Sequence, residues 1–93
     1  ASDVYKRQTV DEVRNRTKQA VKKNRILLFH WRGGYLTKEV LKELLVVFDE
    51  EASVKGKQAY VSVNWPQAVI CVRFEDGAGE EQVEMEDANE GER

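Results

Sequence analysis

Apolar positions along the chain change period three times, and each change marks an element. Val10, Val13, Thr17, Ala20 and Val21 recur at helical spacing. Thr9 followed three residues later by Glu12 has the form of a capping box, so the spacing predicts a helix over Val10 to Lys23 with Asn24 as a left-handed stop. The run Ile26-Leu27-Leu28-Phe29-His30-Trp31 is too short for a separate helix. It does not alternate, which predicts a central strand covered on both faces. Thr37 is placed to cap a second helix with Val40, Leu41, Leu44, Leu45 and Phe48 on its apolar face, ending near Ser53.

Beyond Gly56 the period falls to two. Ala59, Val61 and Val63 alternate with polar positions, and after the break at Asn64-Trp65-Pro66-Gln67 so do Ile70, Val72 and Phe74, which predicts a hairpin. A proline at such a tip takes a trans bond by default. Asp76-Gly77-Ala78-Gly79 signals a further turn, with Val83 and Met85 in a short acidic edge strand after it. The predicted fold is an α+β two-layer sandwich of order α-β-α-β-β-(β). Two helices pack on one face of a mostly antiparallel three- or four-stranded sheet, and the first strand, second helix and second strand form a right-handed crossover.

Ninety-three residues suffice for one modest core. Residues 9–86 are expected to form the single domain, with 87–93 a disordered acidic tail. The first eight residues, ASDVYKRQ, resemble the translated adapter read-through found ahead of proteins from environmental sequences, so 1–8 reads as a non-native leader or scar.

Charge changes this picture more than composition does. Ala1 to Arg32 carries nine Lys or Arg against three acids, the middle of the chain is balanced, and Phe74 to Arg93 carries nine acids against Arg93 alone. The net charge of -2 therefore hides a dipole along the sequence. A lone Cys71 excludes an internal disulfide, and no apolar run reaches the roughly 20 residues of a membrane span, which fits a cytoplasmic protein without a membrane role.

Candidate chemistry is sparse. His30 is the only histidine and the spacings that hold zinc are absent, so no metal or cofactor is expected. His30 with Cys71 has the residue types of a base and nucleophile. Their apolar strand settings favour a packed imidazole and a buried thiol instead, and the chain is not expected to be an enzyme. Arg32-Gly33-Gly34 matches no phosphate-binding fingerprint and reads as a tight connection.

Two binding surfaces remain. Trp65 at the hairpin tip with Glu80, Glu81, Glu84, Glu86 and Asp87 would dock on a protein partner, including a basic surface that handles nucleic acid. A phage or mobile-element inhibitor or regulator is one setting for such a protein. The alternative is a nucleic-acid-binding module using Arg14, Lys18, Lys22, Arg25 and Arg32, with Trp31 and Tyr35 as aromatics for stacking on bases.

Overall fold

A computed structural model describes residues 2–32 and 36–85, with side chains from Lys6 onward. The elements in order are α1 (Ser2–Lys23), β1 (Ile26–Trp31), α2 (Lys38–Val54), β2 (Ala59–Asn64), β3 (Val69–Phe74) and β4 (Glu80–Met85). Two helices pack on one face of a four-stranded mixed sheet, as the sequence predicts. The expected acidic tail, with Glu86 and Asp87, and the Gly33-Gly34-Tyr35 connection lie outside the described residues.

Helix α1 starts at Ser2, well before Thr9. The capping-box pattern is present, but the residues ahead of it include no glycine or proline to stop the helix, and Thr9 sits buried inside it. Lys6 reaches Glu43 of α2 at 3.4 Å. Asn24 ends the helix with φ 54°, as its type suggests. Thr37 caps α2 by accepting a hydrogen bond from the Val40 amide at 3.2 Å. On α2, Val47 is buried and Leu45 is not, so the apolar face is rotated from the one the leucine spacing implies.

The strand order is β2-β3-β1-β4. Strand β3 is antiparallel to both β2 and β1, whereas β4 is parallel to β1. β1 and β2 do run the same way, but β3 lies between them, so the crossover spans two strand positions. The segment from Glu75 to Gly79 must then pass across the start of β1. Two backbone hydrogen bonds fasten it there, Ala78 N–H to Asn24 C=O at 2.7 Å and Ile26 N–H to Gly79 C=O at 2.9 Å. Gly79 has φ 76°, and a Cβ on Gly77 would stand 2.9 Å from the Phe74 carbonyl oxygen, so this passage requires both glycines. The Trp65–Pro66 bond is cis rather than trans.

The core lies between the layers. Leu27, Phe29 and Trp31 of β1 point into it with Ile70, Val72 and Phe74 of β3, under Val13, Ala20, Leu44, Val47 and Phe48 of the helices. Phe29 is central, its ring centroid 6.0 Å from that of Phe48 and 5.9 Å from that of Trp31. Among the described residues β1 is covered on one face only, which corrects the two-sided burial expected from its composition: its residues alternate between buried and half-buried. Trp31 is 6% exposed and unavailable for stacking on bases.

Candidate functional site

Since both helices lie on one side, the other side of the sheet is uncovered by any described element. The strand register places its side chains in rows. Ser62, Cys71, Leu28 and Gln82 form one row across all four strands, and Asn64, Val69, His30 and Glu84 form the next. Toward the opposite end stand the pairs Tyr60 with Arg73 and Ile26 with Glu80. The centre of this open face is apolar (Ile26, Leu28, Val69, Cys71), and its margins are polar.

Individual side chains there are partly fixed. The Arg73 guanidinium carbon lies 4.7 Å from the centroid of the Tyr60 ring, a cation–π arrangement that holds the 44% exposed tyrosine against the sheet. His30 Nε2 shares a hydrogen bond with the Gln82 side-chain oxygen. A shallow depression of about 280 Å³ is lined by Ile26, Tyr60, Ser62, Cys71, Arg73 and Glu80. A larger one of about 300 Å³ lies between α1 and α2 near Lys6, Asp11 and Glu43. Its lining already carries the Lys6–Glu43 pair, which a ligand would have to displace, and this makes it the weaker binding surface.

The sequence-predicted acidic set is divided by the fold. Glu80 and Glu84 stand on the open face, while Glu81 turns to the helix side, 3.9 Å from Arg16. Glu84 lies 4.0 Å from Arg32, and Arg25 donates a hydrogen bond to the Glu80 carbonyl at 2.9 Å. Trp65 is 53% exposed at the hairpin tip, at the same end of the sheet as Glu84 but beside the opposite edge strand. Three strand spacings, about 14 Å, separate the Asn64 and Glu84 backbones.

The basic set is divided as well. Arg14 donates to Glu51 at 2.7 Å and to Glu50 at 2.9 Å, joining α1 to α2. Those two hydrogen bonds, Glu51's the stronger, hold the guanidinium pKa above its ordinary value. Arg25 and Arg32 are directed toward β4, as above. Lys18 and Lys22 remain exposed, and with Lys55, Glu51, Val21 and Val54 they line a groove of about 210 Å³.

His30 and Cys71 both lie on the open face, half-buried rather than packed in the core as expected. They are diagonal neighbours, since Cys71 sits opposite Leu28 and Val69 opposite His30. Among the described residues no three His, Cys, Asp or Glu side chains come together to hold a metal ion. No described helix is long and apolar enough to cross a membrane. No family model, curated protein or solved structure matches the chain.

Proposed function

We propose that this is a small non-catalytic binding protein that docks on a protein partner through the open face of its sheet. The observation that carries this reading is the layout of that face, an apolar centre of Ile26, Leu28, Val69 and Cys71 between aromatic and acidic margins. Protein interfaces have the same plan, with a desolvated apolar core inside a polar rim. Tyr60 and Trp65 supply the large aromatic surfaces on which such contacts concentrate energy. Glu80 and Glu84 along one margin favour a partner with Lys or Arg beside its own apolar patch, and they speed its approach. A cytoplasmic inhibitor or regulator, acting by occupying its partner, is the role this layout suits.

Capture from a nuclease-treated lysate tests the reading. Wild-type protein should retain a basic partner that elutes as salt rises, and Glu80→Lys/Glu84→Lys should not. Equal retention by both removes the acidic margin from the mechanism.

The second reading, a nucleic-acid-binding module, is supported by Lys18, Lys22 and Lys55 around their shared groove. It predicts salt-sensitive anisotropy changes for labelled single-stranded RNA or duplex DNA that weaken in Lys18→Ala/Lys22→Ala. No change with either probe at low salt would end it.

A further inference from the structure

The two edges of the sheet differ in chemistry. β4 carries Glu80, Glu81 and Glu84 among its six residues, which blunts it against pairing with another copy of itself. β2, Ala59–Asn64, carries no charge and no proline, and all six of its residues keep regular register with β3. No described strand lies beyond it, so its outer backbone groups are an open template. Its helix-side residues Ala59, Val61 and Val63 pack against the core yet stay only half-buried.

Helix α2 extends this surface. Glu43 and Glu50 face α1, where they pair with Lys6 and Arg14. Leu41 and Leu45 are turned from them by about 140 to 200° around the helix. They therefore lie on the side away from α1, and α2 packs against β2, so that side is the one of the free edge. Leu45 is 38% exposed.

We infer that β2 is a self-association edge, at which a second copy of this chain pairs antiparallel to give a continuous eight-stranded sheet. Side chains keep to their own faces only when paired residue numbers share parity. The register centred on Ser62 meets this condition, with Ser62 opposite Ser62, Val61 opposite Val63 and Tyr60 opposite Asn64. Beyond the strand, Lys57 falls opposite Gln67. No like charges meet along the paired strands, whereas the same operation on β4 brings glutamates together. That charge pattern is what selects a second copy of β2 as the occupant. Five paired residues and two leucines per copy make a small interface, so the test spans concentrations at which a weak dimer would form. The open face is left free and doubled in extent.

Sedimentation equilibrium of the full chain from about 1 µM to about 1 mM tests this. The wild type should pass from one chain mass to two. Ser62 is exposed, so Ser62→Lys and Ser62→Glu should keep the native circular dichroism, and each should raise the dimer dissociation constant at least about tenfold through like charges on the two-fold axis. An equimolar mixture of the two should recover the dimer. Gln82→Lys on the other edge strand should change nothing. A wild type that stays at one chain mass throughout overturns the inference, as does a dimer insensitive to both Ser62 changes or one abolished by Gln82→Lys.

Discussion

Replacing Arg14 with methionine separates the two roles open to the basic helix. Methionine keeps most of the apolar stem and removes the guanidinium that joins α1 to Glu50 and Glu51. The two arms are unequal. Glu51 has a side chain only 10% exposed and accepts at 2.7 Å, whereas Glu50 is 55% exposed and accepts at 2.9 Å. The exposed arm is worth a few tenths of a kcal/mol, as surface pairs are. The sheltered arm is worth more, because its loss leaves a carboxylate largely out of water without a partner. With a third of the Arg14 side chain in solvent, the combined loss is about 1 to 2 kcal/mol, or about 5 to 15 °C in Tm for a domain of this size. Urea unfolding of Arg14→Met, Glu51→Gln, Glu50→Gln and the two double variants measures each arm by double-mutant cycles. Coupling should be about 1 kcal/mol or more with Glu51 and under about 0.5 kcal/mol with Glu50. Equal or absent couplings would refute the view that Arg14 is a structural clamp between the helices.

Further outcomes follow from the same packing. Phe29→Ala, which empties the centre of the aromatic cluster, should cost about 3 to 5 kcal/mol in urea unfolding, against under about 1 kcal/mol for alanine at exposed Val46. Gly77→Ala should cost about 1 to 3 kcal/mol, because its Cβ meets the Phe74 carbonyl and the Ile26 side chain where the chain crosses β1. Thr37→Ala removes the α2 cap and should cost about 1 kcal/mol. In the folded protein, Cys71 should react with iodoacetamide without prior unfolding, since it lies half-exposed on the open face. Labelling seen only under unfolding conditions would place it in the core instead.

Much of the fold is written in local patterns. Thr37, Asn24, the alternation in β2 and β3, and the break at Asn64 to Gln67 each act through their own few residues, and each is legible for that reason. What escapes is what depends on distant partners. The placement of β4 beside β1 is fastened by the crossing at Asn24 and Gly79, and neither it nor the insertion of β3 between β1 and β2 is recorded in any periodicity. Trp31, offered for base stacking only in the alternative reading, lies under the helices, whereas Trp65 at the hairpin tip is in solvent. The charge dipole along the sequence also folds back on itself, with Arg16 near Glu81 and Arg32 near Glu84. Neither charged set is therefore as unopposed as its composition implies. The misread face of β1 is the most informative case. Ile26 and Leu28 are apolar as if buried, but they face the open side, and that departure from alternation marks the centre of the proposed docking surface.

The most direct test of that surface is partner retention by three immobilised proteins, wild type, Glu80→Lys/Glu84→Lys and Lys18→Ala/Lys22→Ala, from one nuclease-treated lysate. Docking through the open face predicts a salt-sensitive protein partner held by the wild type and the lysine variant and lost by the glutamate variant. Loss with the lysine variant, or full retention by the glutamate variant, would contradict it.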